Sequence, residues 1–122
     1  MLGYVTIGTN DLPRATAFYD AIAAEMGGRR IMENDIFVAW GPTDGSPGFG
    51  VTLPFDGKPA TAGNGVMIAL ITDERPQVDR IYQLALSLGA TDDGPPGERF
   101  TGLYIAFFRD LDGNKVGVYM MG

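Results

Sequence analysis

The chain has 122 residues, 15 of them acidic and nine basic for a net charge of −6, and it contains neither cysteine nor histidine. That size suits a domain able to bury its own core, and an acidic balance with scattered basic residues disfavours nucleic acid, whose affinity rests on Lys and Arg neutralising phosphates. The missing thiol and imidazole exclude disulfides, thiolate nucleophiles, Ser-His-Asp and Cys-His hydrolases and the usual zinc enzymes, leaving carboxylates, Lys, Tyr, hydroxyls and backbone groups for any chemistry.

Residues 3–9 read as a strand, with Val5 and Ile7 on one face and Tyr4 and Thr6 on the other. Asn10-Asp11 supplies a helix cap, and Pro13 falls in the first turn, where its missing N–H costs nothing. Leu12, Ala15, Phe18, Ile22 and Met26 then recur at helical spacing with Tyr19 beside them, until Gly27-Gly28 stops the helix. Residues 29–32 and 36–40 flank a hairpin turn at Glu33-Asn34-Asp35, residues 41–47 form a Gly/Pro-rich loop, and residues 49–53 form another strand. The glycines of Gly45–Gly50 and Gly63–Gly65 lack the Gly-Lys-Ser/Thr ending of a phosphate loop and read as turns.

The second half repeats this plan 63 residues on, so that Tyr4 and Pro13 correspond to Met67 and Pro76. A strand over 66–71 leads through Asp73-Glu74 into a helix with Val78, Ile81, Ala85 and Leu88 on its apolar stripe, stopped by Gly89. Residues 91–97 read as irregular because of Pro95-Pro96; strands over 103–109 and 115–120 flank a turn at 110–114. Asp110, Asp112 and Asn114 do not make a calcium loop, because Lys115 and Met121 stand where an EF-hand needs Gly and Glu. Phe18, Tyr19 and Tyr82 lie on or beside the apolar stripes and read as core.

The expected fold is α+β: two tandem βαβββ modules, about 1–56 and 64–122 of a single domain, forming a curved, partly closed mixed sheet around a cavity with the helices outside. Aliphatic sets (Val5/Ile7, Val66/Ile68/Leu70 and Val116/Val118/Met120) give each sheet a helix-covered face. The opposite faces carry Tyr4/Thr6, Met67/Ala69 and Lys115/Gly117/Tyr119, a mixed set suited to lining a cavity.

The paired modules, with Asn10-Asp11-Leu12…Phe18-Tyr19 opening the first helix and Phe107-Phe108-Arg109-Asp110-Leu111-Asp112-Gly113-Asn114-Lys115 closing the chain, resemble the vicinal oxygen chelate superfamily. This group contains glyoxalase I, bleomycin-resistance proteins and extradiol dioxygenases, and it usually has Pro where Leu111 stands. In its metal-dependent members the resemblance implies a His on the first strand of each module, a Glu on the last strand and a fourth ligand from the first module. Those positions fall here at Tyr4, Met67, Gly117 and, for the fourth, near Thr52. A phenol and a thioether are poor ligands for the ions such sites hold, and Gly has no side chain.

The expectation is therefore a protein without metal or cofactor that binds a small, largely apolar molecule, with Tyr4, Thr6, Trp40, Phe49, Met67 and Tyr119 as candidate ligand-binding residues. Alternatives are a metal-independent lyase or isomerase, for which Glu98 is the best placed carboxylate, and a degenerate structural or partner-binding module. No nucleic-acid or membrane partner is expected, because no apolar run nears the roughly 20 residues that span a bilayer. Met1-Leu2-Gly3-Tyr4 has no basic leader-like region, so the expected place is the cytoplasm. The resemblance implies a homodimer.

Overall fold

The repeat reappears as structure, element for element. The computed structural model describes residues Met1–Gly122. It contains two compact units, Met1–Ala62 and Gly63–Gly122. In the first, β1 (Tyr4–Gly8) leads into α1 (Leu12–Glu25), followed by β2 (Arg29–Glu33), β3 (Phe37–Gly41) and β4 (Gly48–Thr52). In the second, β5 (Met67–Ile71) leads into α2 (Arg75–Ser87), then β6 (Thr91–Phe100), β7 (Leu103–Arg109) and β8 (Lys115–Met121). The first strands start 63 residues apart and so do the helices. Each unit holds a mixed four-stranded sheet, ordered β1-β4-β3-β2 and β5-β8-β7-β6, with β1 parallel to β4 and β5 parallel to β8.

Local chemistry explains where the elements begin and end. The Asp11 carboxylate accepts from the Arg14 N–H at 3.1 Å and caps α1, with Pro13 in the first turn. The helix stops where Gly27 adopts a φ of 74° and the Gly28 N–H returns to the Ala23 carbonyl at 2.8 Å. Asp110 shapes the last hairpin: its buried carboxylate accepts from the backbone N–H groups of Asp112 and Asn114 and from Asn114 Nδ2.

Each helix buries one stripe against one face of its own sheet. In the first unit Ala15, Phe18, Tyr19 and Ile22 are buried, as are Val38, Trp40, Phe49 and Val51 of the strands. In the second, Val78, Ile81, Tyr82 and Ala85 are buried, with Ala106, Phe108, Val116 and Val118 on the sheet. Leu88, expected on the α2 stripe, is exposed, and Tyr82 fills that role while its hydroxyl donates to Asp92 at 2.7 Å.

Two sequence expectations change. The irregular stretch expected over 91–97 is the start of β6, a ten-residue strand whose register with β7 slips at three places. It lies at the sheet edge, where prolines cost no ladder hydrogen bond. Gly48, expected in a turn, and Gly50, where the turn and strand readings overlapped, both lie in β4, and neighbouring groups come too close there for a side chain. At Gly50 a Cβ would meet the Phe37 ring at 2.4 Å.

On the outer side of the first unit the Asp20 carboxylate gathers three donors. It accepts from Arg30 Nε at 3.0 Å, the other Arg30 arm at 2.7 Å and Trp40 Nε1 at 2.8 Å. Arg30 first, then the Trp40 indole, hold the carboxyl below its ordinary 3.8 against the opposing effect of burial. A carboxyl whose folded pKa is lowered contributes stability that is complete above the unfolded value and lost as pH falls through the folded one. The urea midpoint of Asp20→Asn should thus lie below the parent's at pH 7, and the gap should shrink below pH 3.8. A gap independent of pH would show that the ion pair contributes nothing.

No helix is long and apolar enough to cross a membrane.

Candidate ligand-binding surface

Strand alternation divides each sheet into a helix-covered face and an open one. On the open face of the first sheet, Tyr4 and Thr6 of β1 lie in register with Gly48 and Gly50 of β4, and Phe37 and Ala39 of β3 complete the set. The Tyr4 and Phe37 rings are tilted together with centroids 6.0 Å apart. Thr52 Oγ1 sits 2.9 Å from the Leu53 carbonyl and 3.2 Å from the Ile36 carbonyl, so its one proton is committed to backbone. This face carries no charged side chain on β1, β3 or β4.

The open face of the second sheet differs. Met67 and Ala69 of β5 pair with Lys115 and Gly117 of β8, and Tyr119 continues the row opposite Ile71. Phe107 of β7 stands opposite Gly117, and Arg109 opposite Lys115. A Cβ at Gly117 would meet the Met67 sulfur at 3.3 Å and the Phe107 ring at 3.5 Å. The bare glycine is buried, and the thioether and the aromatic edge close over it, forming an apolar surface in which Met67 is the exposed part. Along the rim the Lys115 ammonium lies 4.8 Å from the Phe107 ring centre and the Arg99 guanidinium 5.3 Å from it.

Four of the expected residues occupy these open faces: Tyr4 and Thr6 on the first sheet, Met67 and Tyr119 on the second. Tyr4 is 55% exposed and Met67 42%, so both are reachable. Trp40 and Phe49 are corrected. Their rings pack on each other at 5.7 Å and on Tyr19 of α1, and they are 1% and 9% exposed. They face the helix, and their parity on β3 and β4 takes them off the open face. Phe37 and Phe107, not among the expected residues, are the aromatics that the open faces carry on β3 and β7. The signal lay in the alternation, because Phe37 shares parity with Ala39, and Phe107 shares its face with Gly117. Lys115 had been placed on the open face, but its charge had not been read with Arg99 and Arg109.

A metal does not fit this surface. The positions where a chelating site would draw ligands hold a phenol, a thioether and a glycine, and the Thr52 hydroxyl is engaged by backbone. Nowhere do three His, Cys, Asp or Glu side chains group so as to hold an ion.

The carboxylate considered for acid–base work is also committed. The Gly102 backbone N–H and the Arg75 guanidinium hold Glu98 below the ordinary carboxylate range, so it stays ionised rather than poised to exchange protons near neutrality.

A separate concavity of about 650 Å³ lies on the helix side of the first unit, lined among others by Leu12, Thr16, Asp20, Arg30 and Val38. Of its three charged residues, Asp20, Arg30 and Asp35, the first two already pair with each other. It reads as a packing groove.

The family model for the Glyoxalase/Bleomycin resistance protein/Dioxygenase superfamily matches residues 1–118. The chain belongs to this superfamily. Among solved structures, a glyoxalase/bleomycin resistance protein from Albidiferax ferrireducens T118 is 32% identical, with a TM-score of 0.91 over 100% of this chain and 99% of that one. A family enzyme from Burkholderia phytofirmans PsJN is 22% identical, with a TM-score of 0.79 and 98% of each chain covered. A lactoylglutathione lyase from Agrobacterium tumefaciens is 19% identical, with a TM-score of 0.71 over 98% of this chain and 92% of that one. The last two likenesses show the fold alone. A search of curated proteins finds no match. Superfamily membership fits the tandem βαβββ units, and the residues on their open faces depart from its chelating pattern.

Proposed function

We propose that this superfamily member is a metal-free protein that binds a small, largely apolar molecule on its open sheet faces. The observation that carries this reading is the surround of Gly117. Where a metal-dependent relative would place a carboxylate, this chain has a buried glycine covered by the Met67 sulfur and the Phe107 ring. Such a lining binds apolar surface and offers a hard or borderline cation nothing. Met67 and Tyr119 are the contacts on the second sheet, Tyr4 and Thr6 their counterparts on the first. The protein acts as a homodimer in the cytoplasm. Apolar side chains such as Leu2, Met32, Ile71 and Met121 are exposed on the single chain, which supports association. An acidic chain without cysteine needs no oxidising compartment to fold.

The test uses N-phenyl-1-naphthylamine, a neutral apolar fluorophore, with elemental analysis of the purified protein. Saturable probe binding, weakened about tenfold by Gly117→Leu, is the expected result, since a leucine there must displace the Met67 and Phe107 side chains that make the apolar surface. Stoichiometric nickel, zinc, iron or manganese would sink the metal-free reading. A probe that does not bind, or binds Gly117→Leu as well as the parent, would sink the site.

A further inference from the structure

We propose that the molecule taken by the second sheet is an amphiphilic anion, its acidic head group held by Lys115 and Arg99 and its apolar body laid against the exposed Met67. This rests on the small-molecule reading above and names the class of ligand.

Charge is the first observation. The protein carries a net charge of −6, yet Arg99 and Lys115 lie over Phe107 and Arg109 beside Lys115, with Asp93 between the latter two and Asp92 near Arg99. One oxygen of Asp93 serves two of these cations, at 3.1 Å from Arg109 Nε and 3.4 Å from Lys115 Nζ. Arg109 is further tied to the Gly113 carbonyl. Lys115 has three ammonium protons, of which the contact to Asp93 uses one, so donors remain for a ligand.

Arg99 is the second observation. Its guanidinium donates to the carbonyl oxygens of Pro95, Gly97 and Ile105. These bonds fix the group over the register slips of β6, and the Asp92 carboxylate lies near enough to feel its charge. A cation that is already immobilised loses little entropy when an anion arrives. Lys115 and Arg99 lie 4.8 Å and 5.3 Å from the same ring centre, so an anion at the edge of that ring meets positive charge.

The geometry of β8 supplies the third. Lys115 and Gly117 are two residues apart on one strand, hence on one face and about 7 Å apart. The ammonium therefore borders the apolar surface that Met67 and Phe107 make over Gly117. A ligand with an acidic head and an apolar body matches that order, whereas a divalent cation would meet positive charge at the rim. The matching face of the first sheet, without charge on β1, β3 or β4, offers no such anchor.

The experiment compares 8-anilinonaphthalene-1-sulfonate with N-phenyl-1-naphthylamine, the same ring system without the sulfonate, by fluorescence titration on the full chain. The sulfonate should bind the parent at least about fivefold more tightly at low salt, the scale of one charge-assisted contact at a partly exposed site. Lys115→Met should remove that advantage while leaving the neutral probe within about twofold, because the apolar stem is kept. Asp93→Asn should tighten the sulfonate alone by freeing the ammonium. Raising NaCl from about 0.05 M to about 0.5 M should weaken the sulfonate alone, since shortening the screening length acts only on charge. Arg99→Met should act like Lys115→Met if it folds; the other two variants carry the test if it does not.

Equal affinities for the two probes, or a Lys115→Met that shifts both alike, would overturn the anion and leave the small-molecule reading standing. Failure of both probes to bind would overturn the two together.

Discussion

Replacing Trp40 with alanine is expected to cost about 3–5 kcal/mol of stability, the range for truncating a fully buried large aromatic. Trp40 is 1% exposed, its ring is 5.7 Å from those of both Tyr19 and Phe49, and its indole N–H donates to Asp20 at 2.8 Å. The cavity left behind would sit at the centre of the α1–sheet interface, and neighbouring rings relax into such space only partly. Trp40→Phe separates two contributions, keeping most of the packing and losing the indole donor. It should cost about 1–2 kcal/mol, the scale of one hydrogen bond to a charged acceptor. Because Trp40 is the sole tryptophan, unfolding should be followed by circular dichroism rather than by its fluorescence. A Trp40→Ala midpoint within about 1 kcal/mol of the parent would contradict the buried position. The same variant tests the face assignment. Measured well below its own melting temperature, it should bind N-phenyl-1-naphthylamine as the parent does, because Trp40 lies on the helix side of the sheet.

Trp40 also shows where the sequence was legible. Period-two and period-3.6 patterns located the strands and helices because hydrophobic burial is a property of whole elements, and the 63-residue repeat doubled every signal. The facing of a single residue on a strand without clean alternation is different. Phe37, Val38, Ala39 and Trp40 are all apolar, so neither parity stands out, and the contact with Tyr19 decides. Lys115 is the converse case. Alternation put it on the open face correctly, but its meaning depends on Arg99 and Asp93, which reach it only through the slipped register of β6. Those slips follow from Gly94, Pro95 and Pro96, residues that announce irregularity without saying which side chains it brings together. Close backbone approach was the other hidden term, since glycine marks a turn and a tight strand contact with the same letter.

Gly48 carries that last point to its largest consequence. Gly48→Ala adds a single methyl, yet its Cβ would lie 1.9 Å from the Trp40 carbonyl oxygen and 2.9 Å from both the Trp40 carbonyl carbon and Gly41 Cα. All three are backbone atoms of β3 or its last residue, so no side chain can rotate away. The methyl must push β3 and β4 apart beside the Trp40–Phe49 pair, on which the aromatic core is built. It also reaches the open face, because Gly48 is the register partner of Tyr4 and the parallel β1–β4 ladder begins there. The expected cost is at least about 3 kcal/mol, at the upper end for overpacking, since strand separation removes ladder bonds as well as packing. Hydrogen exchange should show β1 and β4 amides losing protection first. Gly3→Ala is the control, a glycine with no atom within 4 Å of the added Cβ, and should leave the urea midpoint unchanged. If Gly48→Ala behaves like Gly3→Ala, β4 does not pass β3 as closely as described, and the anchoring of Tyr4 through β4 fails with it.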